Sequence, residues 1–142
     1  MQKEMSSWCP LTYESVVLAK RLINYFAEEN GTLLINPPLP GCGWVNVAEA
    51  DILNGSTLYE VKAGDRHFRL TDLRQLLTYC ALNFSAKLYE IREIALINPR
   101  SGAIIKDDID HLCKRIAGTS SIKVLGDIVS FISEPATGYQ TT

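Results

Sequence analysis

Two acids and a lysine stand in a pattern suited to binding a divalent metal ion. Asp51 is separated by eight residues from the triplet Glu60-Val61-Lys62, and Glu49 adds a third acid close by. Carboxylate oxygens suit a hard ion such as Mg²⁺, which keeps waters that can attack a phosphate. A lysine beside the ion can orient or deprotonate that water and offset charge that builds on phosphorus. The pattern therefore indicates hydrolysis of a phosphate ester.

A β-hairpin is needed to bring these residues together. Residues 44–53 read as one strand and residues 56–63 as the returning strand, with Asn54-Gly55 as a two-residue turn between them. In that register Glu49 lies opposite Glu60, and alternation of side chains places four charged residues on one face: Glu49, Asp51, Glu60 and Lys62. The alternative is that these charges only form salt bridges on a solvent-facing hairpin.

The hydrophobic pattern predicts the elements that position this hairpin. A helix over residues 11–29 and a short strand over 32–36 precede it, followed by a Pro- and Gly-rich loop that excludes regular structure. A helix over residues 70–84 comes after it, with Thr71 as its N-cap. The rest of the chain comprises a strand, a turn, a short partner strand, two helices and a polar tail, at residues 93–98, 98–102, 103–105, 107–118, 120–134 and 135–142.

This order of elements, α-β-β-β-α-β-β-α, predicts a mixed α/β (α+β) domain. Its centre is expected to be a mixed sheet of four to five strands flanked by helices. Residues 1–142 read as a single domain, since a chain of 142 residues can bury one core without disulfides or metals to stabilise it. The apolar last helix either packs on this sheet or buries a subunit interface, as in a homodimer.

The helix after the hairpin carries two polar residues that its packing does not require. Its apolar stripe is formed by Leu70, Leu73, Leu77, Cys80 and Phe84. Gln75 and Tyr79, four residues apart, lie nearly opposite this stripe on the same side of the helix. These two residues are therefore not simply core positions.

Asp51, Glu60-Val61-Lys62 and Gln75-x-x-x-Tyr79, in this order, resemble the PD-(D/E)XK nuclease superfamily, and most of all its RecB-like and restriction-endonuclease-like branches. The family core is a helix, three strands, a helix and another strand, and the resemblance covers residues 11–105. It leaves 107–134 as C-terminal helices and 135–142 as a frayed tail. One departure is that Ala50 stands where the family name has proline, which many members tolerate.

The resemblance implies a metal site and a nucleophile. Asp51 and Glu60 would be metal ligands, completed by the backbone carbonyl of Val61. Lys62 would position the attacking water. The implied ion is Mg²⁺, for which Mn²⁺ would substitute.

The resemblance also implies roles for residues around this centre. Gln75 and Tyr79 would support the site or touch the nucleic-acid backbone. Glu14, on the first helix, is a candidate extra acid, because a first-helix acid sometimes joins such sites. Glu49 would be either a further ligand or an acid that supports the ligands.

Contacts with nucleic acid need cations, and the chain has few to spare. Sixteen acids against fourteen bases give a net charge of −2, which excludes a generally polybasic protein. The segment from Lys62 to Arg74 nevertheless has a local excess of basic residues, which could hold backbone phosphates without reading sequence: Arg66, His67, Arg69 and Arg74. The alternative is a solvated loop whose charges cap the following helix.

The predicted function is a metal-dependent nuclease that cuts nucleic acid, with DNA favoured. One alternative is a catalytically silent nuclease-fold subunit that binds DNA or assembles a larger defence, repair or restriction complex. Another is a salt-bridge cluster on an unrelated α/β interaction module. Four dispersed cysteines read as core residues, and no apolar run is long enough for a membrane span. A reducing cytoplasm is the expected location.

Overall fold

The centre of the fold is a five-stranded mixed sheet. The computed structural model describes residues 12–134, so the first predicted helical residue, Cys9 and the predicted tail 135–142 lie outside the described part. The helices are α1 (Tyr13–Glu28), α2 (Leu70–Ala86), α3 (Ile109–Ala117) and α4 (Ser121–Ser133). The strands are β1 (Leu33–Ile35), β2 (Pro38–Leu39), β3 (Ala48–Glu49), β4 (Ile52–Asn54), β5 (Thr57–Val61), β6 (Glu93–Asn98) and β7 (Ala103–Asp108).

The main sheet has the strand order β1-β4-β5-β6-β7. Strands β5 and β6 are parallel, and α2 forms the crossover between them, because parallel neighbours cannot be joined by a tight turn. The other neighbouring pairs are antiparallel. The predicted mixed α/β class and the number of strands in the central sheet are confirmed.

Helices cover both faces of the sheet. On one face Phe26 of α1 packs on Ile52 and Tyr59. On the other face the side chains of Leu53 and Leu58 pack against α2 and α4. Because side chains alternate along a strand, Glu60 points to the same face as Leu58, toward α2. The strand pattern therefore directs a carboxylate into the layer between the sheet and α2.

The hairpin turn lies one residue later than predicted. Gly55-Ser56 forms the turn, and Asn54 is paired with Thr57 inside the ladder. Gly55, the first central residue, has a φ of 60°, as a type II′ turn requires, whereas the predicted Asn-Gly turn would need positive φ at both its residues. The amide of Gly55 also donates to the Thr32 carbonyl, which ties the turn to the chain before β1.

This later turn changes which residues face each other. Leu53 pairs with Leu58, so continuing the register places Asp51 opposite Glu60. The predicted pairing of Glu49 with Glu60 is wrong. Since partners shift by two residues and side chains repeat every two, Asp51 and Glu60 keep their predicted common face and only their partners change.

The single strand predicted over residues 44–53 is also wrong. Glu49 belongs to β3, which pairs with β2 in a separate two-stranded sheet. Strand β2 lies in the Pro- and Gly-rich stretch that was predicted to exclude regular structure, so that prediction is wrong for Pro38 and Leu39. Pro38 is tolerated because proline can occupy a sheet edge where no donor is needed. The Ala50 amide donates to the Pro37 carbonyl at 3.2 Å, in register with the pairing of β2 and β3.

The helix ends differ from the prediction in one place that matters for the site. The N-cap of α2 is Arg69 rather than Thr71. The Asp72 carboxylate in the first turn accepts the Arg69 amide at 2.8 Å, which is the amide of the N-cap residue itself. Leu70, predicted to lie in the apolar stripe of this helix, is exposed.

The last helix divides its apolar residues between the core and the surface. Leu125 and Ile132 are buried, whereas Ile122 and Phe131 are 71% and 64% exposed.

Among the described residues no single helix is long and apolar enough to cross a membrane, although α3 and α4 pass that test as a pair bent by 73°. Cys80 and Cys113 are free, buried core thiols, as predicted.

Candidate active site

Two carboxylates meet at the carboxyl end of β5. Asp51 lies immediately before β4 and Glu60 is the fourth residue of β5. One oxygen of Asp51 accepts the Val61 amide at 2.7 Å. This bond fixes the Asp51 side chain against the neighbouring strand, on the face where Glu60 points toward α2.

Glu60 is a buried acid that is only half satisfied. It is 4% exposed, its Oε1 lies 3.4 Å from Lys62 Nζ, and its Oε2 is buried with no hydrogen-bond partner. Burial, and then repulsion by Asp51, raise the pKa of Glu60 to about 7 against the opposing effect of Lys62. A buried oxygen without a partner costs stability, and a bound cation would supply the partner that Oε2 lacks.

Lys62 lies where its ammonium group meets three acceptors. Nζ donates to Gln75 Oε1 at 2.9 Å, and it lies 3.4 Å from Glu60 Oε1 and 3.8 Å from Asp72 Oδ1. The contact with Gln75 is a hydrogen bond, whereas the 3.8 Å separation from Asp72 is an ion-pair distance, too long for a hydrogen bond. The side chain remains 26% exposed, which leaves it reachable from solvent.

Gln75 and Tyr79 lie on the face of α2 that was expected to turn toward the site. The Gln75 amide donates to the Tyr79 hydroxyl at 2.7 Å while its carbonyl oxygen accepts from Lys62. The two bonds orient the Gln75 amide, because its oxygen must face the lysine and its nitrogen the tyrosine. Gln75 thus contacts Lys62 and Tyr79 contacts Gln75. The spacing of four residues predicted that both lie on the same side of the helix, and their support of the reaction stays a prediction.

Asp72 is a site residue that the motif analysis missed. It is 2% exposed and binds the Arg66 guanidinium through two parallel bonds of 2.9 and 2.7 Å. The hydrogen bond from Arg66 is the main reason that the pKa of Asp72 falls to about 2. The available signal was its position three residues after Arg69, which is typical of a helix cap.

The four predicted phosphate contacts are placed differently from one another. Arg66 is held by Asp72, and its side chain is 35% exposed. His67, Arg69 and Arg74 are exposed around the start of α2. We call these four residues the basic rim; that they contact nucleic acid stays a prediction.

The structure does not bring the two possible extra acids into contact with Asp51 or Glu60. Glu14 on α1 pairs with Arg100 in the turn between β6 and β7. Glu49 is exposed on β3 in the second sheet. Neither residue has a hydrogen bond or ion pair with the two carboxylates within the described range 12–134.

The turn between β6 and β7 supports the loop that follows Lys62. Arg100 donates to the Ala63 carbonyl at 2.7 Å, and the buried Asn98 side chain donates to the Gly64 carbonyl at 2.9 Å. These long-range bonds hold the backbone directly after the lysine. Motif spacing contained no signal for either residue.

The ligand set expected for a metal contains two acidic side chains, Asp51 and Glu60, and the Val61 carbonyl. Across residues 12–134 no three His, Cys, Asp or Glu side chains converge into a group that could hold a metal ion. The unpartnered Oε2 of Glu60 fits a hard cation. Comparison of the chain with protein-family models, with curated proteins and with solved structures found no match.

The raised pKa of Glu60 predicts a pH-dependent stability in the absence of metal. A folded-state pKa of about 7, against an ordinary 4.5, means that the folded chain binds this proton more tightly than the unfolded chain. Ionisation therefore costs stability as pH rises from 4.5 through 7, by roughly 3 kcal/mol in all. Thermal unfolding in a chelator should show the wild type losing stability relative to Glu60→Gln between pH 5 and 8. Parallel profiles for the two proteins would contradict this expectation.

Proposed function

We propose that this chain is a metal-dependent nuclease that hydrolyses phosphodiester bonds, with DNA as the favoured substrate. The observation that carries the proposal is the buried Glu60 carboxylate, whose Oε2 has no partner and whose Oε1 lies 3.4 Å from Lys62 Nζ. Asp51 faces the same site from the neighbouring strand. Two carboxylates and an ammonium group at one point are the groups required to hold a cation and to handle charge on a phosphate.

The fold around the site supports a restriction-endonuclease-like architecture and membership of the PD-(D/E)XK superfamily. Along the chain a helix is followed by three strands of the main sheet, a helix and a fourth strand, namely α1, β1, β4, β5, α2 and β6. The carboxylates lie on the central pair β4 and β5, and the parallel neighbour β6 follows the crossover helix. The small sheet of β2 and β3 is an insertion in this scheme.

Each residue of the site would have a separate role in hydrolysis. Asp51 and Glu60, with the Val61 carbonyl, would hold the ion. Bound Mg²⁺ would supply Lewis-acid chemistry, lowering the pKa of a water and neutralising charge on phosphate oxygens. Lys62, partly exposed beside Glu60, would hold the attacking water or a phosphate oxygen through its ammonium hydrogens. Gln75 keeps that ammonium group aimed at the site.

The basic rim would bind the nucleic-acid backbone. Arg66 binds Asp72, which lies 3.8 Å from Lys62 Nζ, and Arg69 and Arg74 are exposed near the start of α2. Charged groups of this kind contact phosphates and position a strand without reading its bases. The proposal therefore includes salt-sensitive binding, weakening as ionic strength rises.

A cleavage assay tests this proposal directly. Purified protein is incubated with single- and double-stranded DNA and RNA in the presence of Mg²⁺, Mn²⁺ or a chelator, beside Lys62→Ala. The proposal expects cleavage that requires the divalent ion and is lost in Lys62→Ala. Binding of nucleic acid without any cleavage, together with no divalent binding by calorimetry, would contradict it and favour a non-catalytic DNA-binding or assembly subunit.

A further inference from the structure

Asp72 is the second buried carboxylate beside Lys62, and its contacts exceed what a helix end needs. Its Oδ2 accepts the Arg69 amide at 2.8 Å, which is the capping bond. Its Oδ1 instead accepts from Arg66 at 2.7 Å and lies 3.8 Å from Lys62 Nζ. An asparagine at this third helical position would offer the same kind of acceptor oxygen to the Arg69 amide, so the capping bond alone does not require the contacts that Oδ1 makes with Arg66 and Lys62.

The energetic setting of Asp72 also separates it from an ordinary cap. A buried ionised carboxylate is costly unless opposite charges and hydrogen bonds offset its desolvation. Here the Arg66 guanidinium binds both carboxylate oxygens in parallel, the planar arrangement in which arginine is held most rigidly. Asp72 therefore fixes the direction of the Arg66 guanidinium, and its Oδ1 also lies 3.8 Å from Lys62 Nζ, as a second negative charge beside the ammonium group.

We infer that Asp72 is a positioning residue, which holds Lys62 and Arg66 in place for phosphodiester hydrolysis. This inference rests on the proposed function, in which Lys62 acts on the attacking water and Arg66 on the backbone phosphate. Glu60 is shared between Lys62 and a metal ion, whereas Asp72 is not among the metal ligands. Asp72 thus keeps a fixed counter-charge on Lys62 whether or not Glu60 binds metal.

The test is the isosteric variant Asp72→Asn, assayed by steady-state cleavage of DNA with Mg²⁺. Asparagine keeps an oxygen for the Arg69 amide but loses the charge and one of the two bonds to Arg66. We expect kcat to fall about 10- to 100-fold, the usual effect of removing a group that orients an active residue, and KM to rise several-fold. Mg²⁺ affinity measured by calorimetry should stay within about twofold of the wild type.

A matched control is Asp108→Asn, which alters the N-cap of α3. Asp108 pairs with Glu93 at the start of β6, and Glu93 pairs with Thr57 at the start of β5. Glu60 lies three residues further along β5, near its other end. The control therefore changes an aspartate at another helix N-terminus, where it is the N-cap rather than the third helical residue, at the other end of the sheet. Its kcat and KM should match the wild type. Arg66→Met leaves the capping bond of Asp72 intact and should raise KM, with no further rise in KM when Asp72→Asn is added.

The results of these assays distinguish failure of the proposed function from failure of the inference about Asp72. A wild-type protein that cleaves no nucleic acid overturns the proposed function and this inference with it. If the wild type cleaves and Asp72→Asn retains its kcat and KM, the inference alone is overturned. A fall in kcat that matches the loss of folded protein, with KM unchanged, overturns it as well, because it shows a structural role only. If Asp72→Asn does not fold, an unchanged KM in Arg66→Met overturns the inference, and a raised KM supports it.

Discussion

Replacement of Glu60 by glutamine is expected to abolish both metal binding and nucleic-acid cleavage. The glutamine keeps the volume and one oxygen but removes the charge that faces Asp51 and Lys62. In the proposed reaction Glu60 holds the cation, so its loss should lower the rate at least about 10²- to 10³-fold, as when one group that stabilises transition-state charge is removed. Cleavage assays and calorimetry with Mg²⁺ measure the two effects separately.

The same change should leave the fold intact or make it more stable. Oε2 of Glu60 is buried without a partner, and the pKa of the carboxyl is raised to about 7, so a neutral side chain relieves a cost rather than adding one. Glu93→Gln is the matched control, since Glu93 lies in the neighbouring strand β6 and accepts from Thr57 at the far end of the sheet. Full activity in purified Glu60→Gln would contradict the proposed function.

Replacement of Lys62 by methionine is expected to abolish cleavage while preserving metal binding. Methionine retains much of the apolar stem but cannot donate to Gln75 or to a water. Because removal of a nearby positive charge also reduces repulsion of a cation, Mg²⁺ should bind at least as tightly as in the wild type. The rate should again fall by at least about 10²-fold.

The variants Glu60→Gln and Lys62→Met together distinguish the role of a metal ligand from the role of a residue that positions the attacking water. Lys106→Met is the control, because Lys106 lies on the exposed edge strand β7 and its nearest acid is Glu93 at 3.9 Å. Loss of Mg²⁺ binding in Lys62→Met, in a protein that melts like the wild type, would contradict the assigned role. Loss of both functions in Glu60→Gln but only of cleavage in Lys62→Met is the expected contrast.

Much of the architecture followed from local patterns in the sequence. Helix α2 and strand β6 were predicted within two residues of their observed ends, because continuous apolar spacing over one face defines an element without help from its neighbours. The alternation of charged residues also placed Asp51, Glu60 and Lys62 on the correct face of the hairpin. This placement stayed correct although the predicted turn was wrong, since a shift of two residues in the register changes pairing partners but not the face of each side chain.

The turn itself was decided by contacts beyond the hairpin. Asn54-Gly55 has the local composition of a two-residue turn, yet Asn54 pairs with Thr57 in the ladder. The Gly55 amide donates to the carbonyl of Thr32, the residue directly before β1. Strand β1, which pairs with the other edge of β4, thus favours the register in which Asn54 pairs with Thr57. Residues 44–53 failed as one strand for a similar reason, because the proline-rich segment supplied a competing partner for Glu49.

The sequence by itself determined which residue types could do chemistry and on which elements they lie: Asp51, Glu60 and Lys62 on a hairpin, and Gln75 with Tyr79 on the helix after it. Only the tertiary structure decided the rest of the site. It brought Asp72 and Arg66 to Lys62, and it left Glu14 with Arg100 and Glu49 in a separate sheet. Periodicity reports the face of an element, whereas these contacts depend on how the loop after β5 packs against the start of α2 and the turn after β6.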